Sequence, residues 1–135
     1  MRESAVATHI RLDAAYLGID LFRNNSGAFE DATGRWVRYG LCNDSAALAK
    51  LVKSSDLIGI TPKVITPDMV GQTIGVFTAV ETKPTGWVFP NPTNKEEYAH
   101  CLAQQKFHDI VKKAGGFAGF ASTVADFRKI IKCQS

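Results

Sequence analysis

Three charged side chains carry the chemistry this chain is able to do. Residues 56–60, Asp-Leu-Ile-Gly-Ile, and 76–83, Val-Phe-Thr-Ala-Val-Glu-Thr-Lys, read as two neighbouring strands. The first opens on Asp56; the second carries Glu81 and Lys83 with one residue between them. Alternate side chains of a strand share a face, so Glu81 and Lys83 project together while Thr82 turns away and can offer its carbonyl. Two carboxylates and a carbonyl oxygen are hard ligands for a divalent cation, and a lysine beside them suits phosphodiester hydrolysis. The cation neutralises phosphate charge and acidifies a water, and the ammonium steadies the transition state. Spacing alone leaves a second reading open, in which the acids are solvated strand-edge charges and Lys83 is their salt-bridge partner.

The surrounding pattern predicts the elements that must position these groups. Val6, Ile10, Ala14 and Leu17 recur at helical spacing before Gly18, which predicts an amphipathic helix over 3–17 with one face on the core. A strand over 19–24, turn material from Asn25 to Gly34 and a strand over 35–39 predict a long hairpin. Asp44 is placed to cap a short helix over 45–53. After the acidic strands, residues 83–94 form a proline-rich loop with Trp87, Val88 and Phe89 interleaved. Asn94 and Glu97 have the form of a capping box for a long helix whose stripe is Tyr98, Leu102, Phe107, Ile110 and Val111, ending at Gly115-Gly116. A strand over 117–121 and a helix capped by Ser122 close the chain.

This order, with Phe22-Arg23-Asn24-Asn25-Ser26-Gly27, Arg38-Tyr39-Gly40-Leu41, Ser55-Asp56-Leu57-Ile58-Gly59, Val80-Glu81-Thr82-Lys83, Gln104 and Lys113-Ala114-Gly115-Gly116, resembles the VRR-NUC family of the PD-(D/E)xK nuclease superfamily. The matching segments run in order from about residue 18 to 130. The likeness is to short stand-alone members, many encoded by bacteriophages. It implies an α/β fold with a restriction-endonuclease-like core, a central mixed β-sheet flanked by helices in α-β-β-β-α-β order. It also implies that Asp56 and Glu81 ligate Mg²⁺ or Mn²⁺ with the Thr82 carbonyl, and that Lys83 positions or activates the attacking water. Gln104 matches the glutamine that completes such a constellation, with Gln105 as its register alternative. Glu3 is the candidate for a glutamate on the first helix. The implied activity is metal-dependent endonucleolytic cleavage of DNA, selective for branched structures such as a Holliday junction or flap, by a homodimer. An extra segment over 43–53 and the length of the 83–94 loop depart from the family pattern.

Other residues admit functional and mundane readings. Arg23, Arg35 and Arg38 are candidate phosphate contacts, since arginine forks match phosphate oxygens, and equally ordinary exposed strand arginines. Asn24 and Asn25 suit a turn better than a substrate contact. His100, Cys101 and His108 fall roughly on one side of the long helix, where core or surface roles are favoured over a metal site. Trp87 and Phe89 are placed to stack on a base, meet a partner subunit or cover the core.

Bulk properties set outer bounds. A chain of 135 residues, 45% hydrophobic, has the material for a single domain with a real core. Its net charge of +3 permits a nucleic-acid partner without requiring one. Cys42, Cys101 and Cys133 form no Cys-x-x-Cys pair, which predicts reduced thiols in a cytoplasmic compartment, that of a host cell if the chain is phage-encoded. No apolar run approaches the roughly 20 residues of a spanning helix, so no membrane is expected. No small-molecule organic cofactor is expected either. The rival functions are a non-catalytic nucleic-acid-binding or dimeric scaffold module, and a nuclease of homing or restriction type that acts on RNA or at a preferred DNA sequence.

Overall fold

A computed structural model describes residues 2–132, so Cys133 lies outside the described residues. The protein is mixed α/β. Its described elements include four α-helices and six strands, the strands joined in three two-stranded sheets. The chain divides into two compact units, Met1–Gly59 and Ile60–Ser135.

In the first unit, α1 (Glu3–Tyr16) packs on β1 (Asp20–Arg23). Gly18, at φ +76°, provides the left-handed turn that ends the helix. The expected apolar stripe buries only Ala14; Val6, Ile10 and Leu17 stand 40%, 48% and 61% exposed. The long hairpin is corrected as well. β1 pairs with β4 (Leu57–Ile60), and the partner of β3 (Trp36–Tyr39) is a strand inside the expected turn, β2 (Gly27–Glu30). β2 escapes a pattern search because it opens on a glycine after Asn25-Ser26, all turn-forming types. Its Gly27 faces Tyr39, and a methyl group there would lie 2.7 Å from the Tyr39 hydroxyl, so the tyrosine ring occupies the space a side chain would fill.

Asn43 ties this hairpin together from outside the ladder. Its amide nitrogen donates to the Gly27 and Tyr39 carbonyls at 2.7 and 2.9 Å, and its oxygen accepts from Arg38 Nη1 at 3.0 Å. The following helix, α2 (Ala46–Leu51), is capped by Ser45 rather than Asp44, because the Ser45 hydroxyl accepts from the Leu48 amide.

The second unit has three layers. β5 (Thr78–Thr82) and β6 (Phe117–Ala121) pair in parallel, with Glu81 opposite Phe120. The two acid-bearing strands, expected as neighbours, thus each bond a different partner, β4 with β1 and β5 with β6. The long helix α3 (Lys95–Lys113) packs on one face of the β5–β6 pair. The short helix α4 (Val124–Ile130) packs on β6, where Gly119 leaves room for Ile130. The buried face of α3 is Cys101, His108 and Val111, with Gln104 half-buried among them. The expected stripe is rotated from this, and Phe107 and Ile110 remain 38% and 43% exposed. A parallel pair closed by two helices needs small residues where the layers meet, and Ala118 and Ala121 fill that role. α4 is capped by Thr123, while Ser122 instead donates through its amide and hydroxyl to Asp126.

Gly59 is the tightest point of the β1–β4 pair. A Cβ there would overlap the Asp20 carbonyl oxygen and lie 2.8 Å from Leu21 Cα. Gly59→Ala is expected to cost about 3 kcal/mol in urea unfolding, at the upper end for overpacking against backbone. Gly75→Ala, which meets nothing within 4 Å, should change stability by less than about 0.5 kcal/mol.

Candidate functional site

Lys83 follows β5, and the ladder continues through it, since its amide donates to the Ala121 carbonyl at 2.9 Å. That bond fixes the backbone from which the side chain leaves. Glu81 and Lys83 lie two positions apart and so share the face that α3 covers. Lys83 Nζ donates to Gln104 Oε1 at 3.0 Å and stands 3.8 Å from Glu81 Oε1. It lies 3.9 Å from Cys101 Sγ. The bond is made by Gln104, and Gln105 is exposed.

Aromatic rings form the remaining wall. The Lys83 ammonium stands 5.4 Å from the Trp87 ring centre and 5.6 Å from that of Phe120, within cation–π range. Trp87 and Phe89 both pack on Phe120, at centroid distances of 5.0 and 5.8 Å, and Phe89 meets Tyr98 edge-on. The proline-rich loop thus folds its two large rings onto the core, leaving Val88 79% exposed. The Lys83 side chain is only 13% exposed, against 38% for Glu81. An ammonium so desolvated needs partners. Its three donors have one short partner, Gln104, and two longer ones, Cys101 Sγ and the Glu81 carboxylate.

His108 lies behind this group, 4% exposed, edge-on to Phe120 at 4.7 Å. Burial pushes its imidazole below the ordinary value of 6.5, opposed by the Glu81 charge.

Thr82 ends β5 between Glu81 and Lys83, and the other predicted site residues belong to the first unit. Asp56 directly precedes β4, and its carbonyl accepts from the Asn24 amide at 2.8 Å. The Asn24 side chain donates to Ser54 Oγ and to the Ser55 carbonyl at 3.0 and 2.8 Å, so Asn24 is a strut that shapes the chain ahead of Asp56. Asp56, Glu3 and Arg23 line one cavity of about 490 Å³, together with Arg11, Asn24 and Asn25. The remaining arginines are engaged elsewhere. Arg35 pairs with Asp31 at 3.4 Å, and Arg38 holds Asn43. Among the described residues no group of three or more His, Cys, Asp or Glu side chains is gathered to hold a metal ion. No described helix is long and apolar enough to cross a membrane.

Comparison with known proteins adds no relative: neither a family model, nor a curated protein, nor a solved structure matches the chain. The lining of the first unit's cavity includes Arg11, which no sequence motif marks, and the core role open to His108 and Cys101 is the one they take. Arg11 carries a signal only in hindsight, since Ser4, Ala7, Thr8 and Arg11 recur at helical spacing on a face that adjoins the apolar stripe. The burial of His108 and Cys101 follows from the rotation of α3, which Gln104 conceals because a polar residue stands on the buried face.

His108 yields a pH prediction whose sign follows from linkage. The unfolded chain binds the proton near pH 6.5 while the folded protein resists it, so stability is fully present above 6.5 and falls as the pH drops towards the lower folded value. Urea midpoints measured at pH 5.0 and 7.5 should differ in the wild type and converge in His108→Gln.

Proposed function

We propose that this chain is a metal-dependent DNA endonuclease of the VRR-NUC type. In this reading the parallel β5–β6 pair, covered by α3, is part of a restriction-endonuclease-like core. The observation that carries it is the bond from Lys83 to Gln104 beside Glu81. Glu81 and Lys83 stand out by type and spacing and Gln104 by the family resemblance, and a largely desolvated ammonium joined to a helix glutamine is a costly arrangement for a purely structural charge. The donor set fits Mg²⁺ or Mn²⁺. Mg²⁺ is typically bound through one or two carboxylates, keeping several waters and a substrate phosphate, so a cage of three acids is not required.

Glu81 is the carboxylate beside Lys83 that would hold such an ion, with the Thr82 carbonyl. The cation supplies charge neutralisation at the phosphate and a more acidic water. Lys83 has a donor to orient that water or a phosphate oxygen, and Gln104 holds the ammonium in place. The aromatic wall of Trp87 and Phe120 keeps bulk water from one side of the ammonium, which strengthens its field at a phosphate. Branched DNA as substrate and a homodimer as the working form are part of the same proposal, supported by the likeness to stand-alone members and by the symmetry of a junction.

A cleavage panel tests the reading. Purified protein with Mg²⁺ or Mn²⁺ should cut labelled junction, flap or linear DNA, with branched substrates preferred. Lys83→Ala should bind DNA with wild-type affinity and lose about 10²–10³-fold in single-turnover cleavage rate. Cleavage by Lys83→Ala at the wild-type rate, or none by the wild type on any of these substrates, overturns the proposal.

A further inference from the structure

We infer that the cavity of the first unit is a phosphate subsite for a nucleic-acid strand, in which Arg11 and Arg23 hold a backbone phosphate. This rests on the nuclease reading and adds to it a binding role for α1. Arg11 comes from the helix and Arg23 from the end of β1, so two arginines line the cavity from different elements. Neither forms an ion pair within 4.0 Å among the described residues, although Glu3 and Asp56 line the same cavity. Arg35 and Arg38, by contrast, have protein partners. Two unpaired guanidinium forks in a concave site match the oxygens of a phosphodiester, which accept paired N–H bonds. At about 490 Å³ the cavity has the volume of a nucleotide-sized ligand site. Asn24 spends both amide N–H bonds on Ser54 and Ser55 and so fixes the wall.

The two carboxylates shape the behaviour of the site. Two positive and two negative groups balance, so a phosphate enters a cavity with no net attraction unless a cation offsets Glu3 and Asp56. Binding is therefore coupled to divalent ions: Ca²⁺ should tighten it, and Glu3→Gln should tighten it in EDTA.

The test is fluorescence anisotropy of the full chain on a labelled DNA junction in Ca²⁺, across a series of salt concentrations. Arg11→Gln and Arg23→Gln should each weaken binding about tenfold, as expected for one charged hydrogen-bonded contact. Each should also lower the slope of log affinity on log salt by about 0.7–0.9, the value for one phosphate contact. Lys50→Gln, on the exposed last turn of α2, should change neither. Wild-type affinity and slope in both arginine variants overturn the inference, as does a wild-type protein that binds no DNA. The two proposals separate cleanly. Intact binding and cleavage in the arginine variants beside an inactive Lys83→Ala sinks the phosphate subsite alone. Weakened arginine variants beside a fully active Lys83→Ala sink the catalytic assignment and leave the subsite standing.

Discussion

A lysine ammonium cannot be taken out of water without partners, and the second unit is organised around that constraint. Lys83 is 13% exposed, and what replaces its water is an amide oxygen at 3.0 Å, a carboxylate at 3.8 Å and the faces of two aromatic rings. Each partner comes from a different segment. Glu81 is on β5, Gln104 on α3, Phe120 on β6 and Trp87 in the proline-rich loop. Placing one cation therefore fixes the register of α3 on the sheet, the parallel pairing of β5 with β6 and the course of the loop over both. The exposed carboxylate at its edge gives the group an open side.

The first unit is built differently. Its apolar side chains are little buried, and polar struts hold it together. Asn43 joins the two strands of the hairpin, and Asn24 joins β1 to the segment before β4. Close backbone approach at Gly59 completes the β1–β4 pair. Short strands with few buried contacts depend on such bonds, because each buried amide left unpaired costs about 1–3 kcal/mol. The same sparse apolar packing leaves a polar cavity, lined by two arginines and two acids.

Much of this was legible in the residues. The helix over α1, the strand 117–121 and the long helix closed by Gly115 all follow from local pattern, while Gln104 is marked only by the family resemblance. What failed to show has physical causes. β2 hides behind Gly27, whose missing side chain is replaced by a tyrosine ring from across the ladder. The true buried face of α3 carries Gln104 and His108, so an apolar-only stripe picks the wrong rotation. Strand partners were unreadable because pairing β1 with β4 joins segments more than thirty residues apart, and no local signal specifies that. Arg11 was missed because a lone arginine on a helix has no meaning until the cavity around it exists.

The proposed function turns on Glu81, beside Lys83, holding a cation used in phosphodiester hydrolysis. Mn²⁺ binding, followed by loss of the free-ion electron paramagnetic resonance signal, tests this without DNA. Wild-type protein should bind Mn²⁺ saturably, and Glu81→Gln should weaken that binding about tenfold or more. Saturable binding that this substitution leaves unaltered, or no binding at millimolar ion, would contradict the account.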